Sequence, residues 1–278
     1  MLTCQSYSGI ATHYLHSSSL PDLEARLGEL QFKDSATLQE RHAIINSTIE
    51  EFTTGLPHDQ PISAPLSGDI REAIEYAFQP ANDFDATMKA LQGLAEMEVT
   101  QPAHELVKPW AQKTLQTILQ RSPTSVRVAF RQLRAGARWS IAETFRREHY
   151  IASKFMEHPD FVEGVSSLLI RKPKTTPQWS PASASDVTER DVDEFFDGQP
   201  ELALLSTADY KDYPHAWIGL PKEREVAAFF TSRAGLSKEE VVKHFVQTTN
   251  GKLGTKEKVQ EILDRKTETK DGELSWKR

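Results

Sequence analysis

Cysteine is almost missing from these 278 residues; Cys4 is the single one. One thiol excludes an internal disulfide and any zinc site built on cysteine pairs, and beside Cys4 and His13 no third group is placed to orient a thiol dyad. Glycine is sparse at 13 residues, with no two adjacent. There is therefore neither a Walker loop nor a dinucleotide-binding turn, and the closest pair, Gly251 and Gly254, reads as an ordinary turn. Nine histidines supply no HExxH or HxH spacing, and no GxSxG elbow is present. No apolar run approaches the roughly 20 residues a membrane helix needs. Positive charge is not in excess: 33 Lys and Arg against 40 Asp and Glu leave a net charge of −7, so no global field draws the chain to DNA or to an anionic membrane. The opening "MLTCQSYSGIATHYL" lacks the basic start and apolar core of a secretory signal and the Arg-rich pattern of a mitochondrial presequence. It reads like the middle of a domain, with a turn at Ser8-Gly9 and a strand-like piece from Ile10 to Leu15, and a truncated chain is expected.

What is present is helical spacing. A mean hydropathy of −0.52 points to solvated helix beyond a compact core. Leu20-Pro21-Asp22 opens a helix, Ser35 is a candidate cap for the next, and residues 53–68, with Gly55, Pro57, Pro61 and Pro65, read as a loop. Helices are expected over 69–78, from Asp83 to about Met97, and over 105–120 with an interruption at Pro109. Ser122-Pro123 pairs an N-cap with Pro at the first helical position, and Val126, Phe130 and Leu133 form the expected buried stripe. Ser140 and Glu143 have capping-box spacing. Pro159-Asp160 opens a short helix whose expected buried stripe is Phe161, Val165 and Leu168 or Leu169. Residues 171–185 mark a boundary. Thr188 to Phe196 is a short acidic helix. Further helices begin at Pro221, at the capping box Ser237/Glu240 and at Thr255, and the last dozen residues look disordered. The fold class is mainly α, with at most one or two short strands near the N-terminus.

One cluster stands out. Seven arginines fall between Arg121 and Arg147, and Arg127, Arg131, Arg134 and Arg138 share one helix face. That face either contacts phosphate, in RNA or a CoA moiety, or is a solvated face opposite the Val126-Phe130-Leu133 stripe.

The segments "SGIATHYL", "SPTSVRVAFRQLRAG", "REHYIASKFMEHPDFVEGVSSLLIRK" and "PQWSPASASDVTERDVDEFF", in this order, resemble 3-hydroxyisobutyryl-CoA hydrolases of the crotonase (enoyl-CoA hydratase/isomerase) superfamily, over about residues 6–196. The resemblance implies a region 1–196 that is the C-terminal helical portion of a crotonase-like fold, followed by a helical extension over 197–278. It also implies acyl-CoA thioester hydrolysis in valine catabolism, an acyl-CoA substrate and the mitochondrial matrix. No cofactor is expected, because the CoA moiety belongs to the substrate. In that family the glycine-rich oxyanion-hole loop and the active carboxylates precede the "GIATH" segment. They have no matching positions here, so no catalytic residue is carried over and no activity is expected of this chain alone. Lys172 and Lys174, after the "DFVEGVSSLLI" segment, are the candidates to touch a CoA phosphate. Without the preceding half, the apolar faces of residues 122–170 are expected to be exposed, giving aggregation, an oligomer or dependence on a partner.

The extension after Phe196 is more than the hydrolase comparison needs. It is similar to fungal relatives that serve in the mitochondrial small ribosomal subunit, which implies a non-catalytic structural role. The arginine face, or a lysine-rich end of Lys252, Lys256, Lys258, Lys266 and Lys270, would then contact RNA or protein. Release at high salt would mark contacts made through these cations.

Overall fold

The computed structural model describes residues 9–53, 68–198, 202–233, 235–270 and 273–277. Cys4, Ser8 and the glycine- and proline-rich run 54–67 lie outside them. The described residues hold twelve α-helices, in chain order α1 Leu20–Gly28, α2 Leu38–Glu51, α3 Gly68–Ala77, α4 Phe84–Glu96, α5 Pro102–Leu119, α6 Pro123–Gly136, α7 Ile141–Glu157, α8 Pro159–Val165, α9 Glu189–Asp193, α10 Glu223–Thr231, α11 Lys238–Thr248 and α12 Thr255–Lys266. The mainly α class is what the structure has. Its two short strands, β1 Thr267–Lys270 and β2 Glu273–Trp276, form an antiparallel hairpin at the C-terminal end, with Thr267 opposite Trp276. Ile10 to Leu15 is not a strand. The closing residues that look disordered in sequence are held because Trp276 packs on Phe230, ring centroids 5.9 Å apart, and Lys277 N–H donates to the Lys266 carbonyl at 2.7 Å. Among the described residues no helix is long and apolar enough to cross a membrane.

The chain divides into two compact units, one of residues 1–72 and 215–278 and the other of 73–214, so the division falls within α3. The sequence boundary at residue 196 follows the family region and is a different cut of the chain.

The first unit is organised by α10, α11 and α12. Val226 and Phe230, Val241 and Phe245, and Val259, Ile262 and Leu263 recur at helical spacing and make one core. Each buried aliphatic or aromatic side chain of this kind stabilises by roughly 1.5–3 kcal/mol. Ser237 and Glu240 form the expected capping box of α11, at 3.2 and 2.9 Å. Thr37, rather than Ser35, caps α2 together with Glu40.

The second unit begins with the α4–α5 hairpin. The Asp83 carboxylate accepts from Ala86 N–H at 2.7 Å to start α4. Pro109 lies inside a continuous α5 and does not interrupt it. The core of the unit is Val128, Ile151, Val187, Val192 and Phe195. The buried face of α6 is therefore Thr124 and Val128, not the Val126-Phe130-Leu133 stripe, and Leu133 is 77% exposed. Val128 faces α7 and the Val187–Phe195 segment, while Val126 and Phe130 are only half-buried, Phe130 against the Phe84 ring at 5.6 Å, and Leu133 stands outside. Ser140 caps α7 through Glu143 N–H at 3.0 Å, but the Glu143 carboxylate binds Arg147 instead of closing the box.

Candidate functional site: the α6–α8 groove

Two carboxylates organise the corner where α8 begins. Asp160, 5% exposed, sits in the first turn of α8. One of its oxygens accepts from Ser122 Oγ at 2.6 Å and the other from Ser180 N–H at 2.8 Å. Ser122 Oγ in turn accepts from Ser125 N–H at 3.2 Å as the cap of α6. One residue pair thus fastens the starts of two helices and the 171–180 loop. His158 is adjacent, but its Nδ1 accepts from Asp160 N–H at 3.2 Å and is 4.0 Å from the Asp160 carboxylate. The serine gives its proton directly to the aspartate, so serine, histidine and aspartate do not form a nucleophilic relay.

Glu163, one turn further on, gathers Ser167 Oγ at 2.6 Å, Gln178 N–H at 2.9 Å and both Arg171 terminal nitrogens at 3.1 and 3.0 Å. The Ser167 hydroxyl, the Gln178 N–H and Arg171 hold its carboxyl down at about 2, against an ordinary 4.5. A carboxylate so well satisfied is a poor general base. After α8 the chain makes one π-turn, Ser166–Ile170, and the loop folds back so that Trp179 donates Nε1–H to the Gln120 carbonyl at 3.2 Å. The Trp179 ring lies where a side chain on residue 164 would stand, 3.2 Å from an added Cβ, and Gly164 makes room for it.

The expected burial of this segment is reversed. Asp160 and Ser167 are buried, while Phe161, Val162, Leu168, Leu169 and Ile170 are exposed. The polar groups go inside because each finds hydrogen-bond partners there. Phe161, Val165, Leu168 and Trp179, facing Val126 and Ala129 of α6, line a groove of about 520 Å³. Ser122 and Asp160 reach it but are spent on each other.

Lys172 and Lys174 stand exposed on the loop between Leu168 and Trp179, with no side-chain partner among the described residues. Of the four arginines, Arg127, Arg131 and Arg134 lie on α6 and Arg138 in the turn after it; the first three are engaged within the unit. Arg127 pairs with Glu189 at 2.8 Å and Asp85 at 3.5 Å, and Arg131 with Asp193. Arg134 donates to the Asn82 carbonyl at 2.7 Å and lies over the Phe130 ring at 3.5 Å. Burial lowers the Arg134 pKa from its usual value. Only the Arg138 guanidinium stands exposed without a partner among the described residues.

The lysine-rich end, in the first unit, is similarly occupied. The Lys252 side chain is 7% exposed and pairs with Glu50; Lys266 pairs with Glu223 at 3.4 Å. Burial pushes Lys258 below its usual value, Lys256 is exposed, and the Lys270 side chain lies outside the described residues. His13 lies 3.0 Å from Glu50 without hydrogen-bond geometry, and burial, then Lys252, lower its pKa. Among the described residues no group of three or more His, Cys, Asp and Glu could hold a metal ion.

Sequence reasoning read Ser122 and Asp160 as helix starts and did not single out Glu163. The only local signal was their placement at caps; their pairing spans 38 residues.

The family model of enoyl-CoA hydratase/isomerase matches residues 5–196, the stretch that contains the α6–α8 corner. The chain belongs to that family. Among individual relatives, the small ribosomal subunit protein mS47 of Neurospora crassa is 42% identical over 280 residues, 98% of this chain and 54% of the relative. The mS47 of Schizosaccharomyces pombe is 33% identical over 68% of this chain and 39% of its own length. The mitochondrial 3-hydroxyisobutyryl-CoA hydrolase of Gallus gallus is 30% identical over 68% of this chain and 43% of the enzyme. The chain spans about half the length of the curated relatives it matches.

Proposed function

We propose that this chain is a non-catalytic structural component of the mitochondrial small ribosomal subunit, built from the helical part of the enoyl-CoA hydratase/isomerase family. The observation that carries this reading is coverage. The likeness to Neurospora crassa mS47 runs through 98% of the chain and so includes the extension after residue 196, whereas the likeness to the Gallus gallus hydrolase covers 68%. The mitochondrial location belongs to the same proposal.

A second reading, hydrolysis of 3-hydroxyisobutyryl-CoA, is favoured by the identity of about 30% to the mitochondrial hydrolases over the family region. One experiment separates the two. Tagged chain expressed in its own cells is fractionated on a sucrose gradient, and each fraction is assayed for thioesterase activity. Co-sedimentation with the mitochondrial small subunit and no turnover above background are expected. A free pool that turns over the thioester would overturn the structural reading.

A further inference from the structure

The extension is fastened to the other end of the chain inside the first unit. Lys252, in the turn between α11 and α12, pairs with Glu50 of α2, 202 residues away in sequence. His13, in the segment before α1, reaches the same carboxylate. One atom, Glu50 Oε1, pairs with Lys252 and lies 3.0 Å from His13 Nε2. The Lys252 and His13 side chains are 7% and 8% exposed. One face of α2 carries His42, Asn46 and Glu50 at four-residue spacing. That face meets the later stretch of the unit twice, at Lys252 and at His215, whose ring stands edge-on to His42 with centroids 4.7 Å apart.

Lys252 holds the shared oxygen. His13 Nδ1 is 3.0 Å from Thr12 Oγ1, while His13 Nε2 and Asn46 Oδ1 are buried without a hydrogen-bond partner among the described residues. The centre is balanced, one ammonium against one carboxylate, so long as His13 is neutral. A proton on His13 sets two buried cations against a single carboxylate, which is costly in a site closed to water.

We propose that Glu50, Lys252 and His13 form a proton-operated latch, which holds the 249–254 turn of the extension on α2 while His13 is neutral and lets it go when His13 is protonated. The groups that face His13 are Glu50 and Asn46 from α2, Lys252 from the turn and Thr12 from its own segment. Of these only Glu50 can compensate a charge on the ring. All of them lie on this chain, so the device needs no partner and does not rest on the ribosomal reading. Its consequence for that reading is that Lys252 is offered to phosphate only when the latch is open.

The direction follows from the two states of the ring. Released, His13 titrates at the ordinary 6.5; closed, burial and then Lys252 lower it. The closed state is therefore fully favoured above about 6.5 and weakens as pH falls below that value. One proton changes the opening equilibrium by at most about tenfold for each pH unit. Histidine is the side chain whose charge changes in this range.

The test is hydrogen exchange of the full chain at about pH 7.5 and about pH 5.5, read peptide by peptide as protection relative to the intrinsic rate. Protection over 38–51 and 249–254 is expected to drop several-fold, and at most about tenfold, at the lower pH, with α4 to α9 unchanged. His13→Gln, neutral at both pH values, should abolish the drop, and His42→Gln should keep it. Titration of the His13 ring by NMR in the parent chain needs no variant and should place it below the ordinary value.

A ring that titrates at or above 6.5 would overturn the proposal, even if a variant misfolds. So would a parent chain with no drop, a drop that His13→Gln retains, or one that His42→Gln abolishes. An equal loss of protection over α4 to α9 would mark general acid unfolding and overturn it as well.

Discussion

Ser122 and Asp160, 38 residues apart, are joined by a 2.6 Å hydrogen bond in which the serine hydroxyl donates to the carboxylate. Each is also the cap or first turn of its helix, so the bond ties the entry of α6 to the entry of α8. Asp160→Ala removes the acceptor for Ser122 Oγ and Ser180 N–H and leaves both donors short of a partner. Loss of two bonds to a buried charge is expected to cost about 2–4 kcal/mol. Urea unfolding of the two proteins side by side measures it, and a change under about 0.5 kcal/mol would show that the corner is not a fastener.

Glu163 gives the chain an acid-sensitive element. Its folded pKa of about 2 lies below the ordinary 4.5. The stability it contributes is therefore complete above the unfolded value and lost as pH falls through the folded one. The difference in Tm between the parent and Glu163→Gln should be full near neutral pH and shrink between about 4.5 and about 2. A difference that stays constant across that window would sink the assignment.

Gly198 packs on Tyr150 so closely that an added Cβ would stand 2.0 Å from the Tyr150 Cζ. Gly198→Ala must push the ring away from the α7 side of the core, at a cost of about 1–3 kcal/mol. Tyr150→Leu in the same chain removes the obstacle. Thermal melts of the single and double variants should show a loss and then a partial return, and the absence of any return would place the strain elsewhere.

Arg134 is a structural cation in this fold. Arg134→Ala forfeits the Asn82 and Gln79 carbonyl bonds and the stack on Phe130, a loss of about 1–2 kcal/mol at this half-exposed site. Arg134→Lys keeps the charge but not the fork or the planar stack, and recovers less than half of the loss. Denaturant titration ranks the three proteins; equal stability of all three would return Arg134 to the list of surface charges.

The helices were legible because caps and spacing are local. Asp83, Ser122, Ser140 and Ser237 each start a helix where the sequence places one. Their buried faces were less legible. In α6 the run Val126-Phe130-Leu133 competes with Thr124-Val128, and nothing local says that Ile151 and Phe195 will meet Val128. In α8 and the π-turn after it Phe161, Val162 and Leu168 to Ile170 point outward and Asp160 and Ser167 inward, because partners 38 and 4 residues away satisfy them. The hairpin over 267–276 escaped notice for the same reason, since Trp276 is anchored by Phe230, far earlier in the chain. The arginine face was visible as a face, but its acidic partners on α4 and α9 were not visible as its partners.

The fastener at Asp160 and Glu163 has a consequence for reading genomes. The bonds of Ser122, Asp160, Glu163 and Trp179 give each polar residue of the motif a structural task in this chain. A search keyed on "HPDFVEG" therefore retrieves a way of building a corner, and thioester turnover has to be read from other residues.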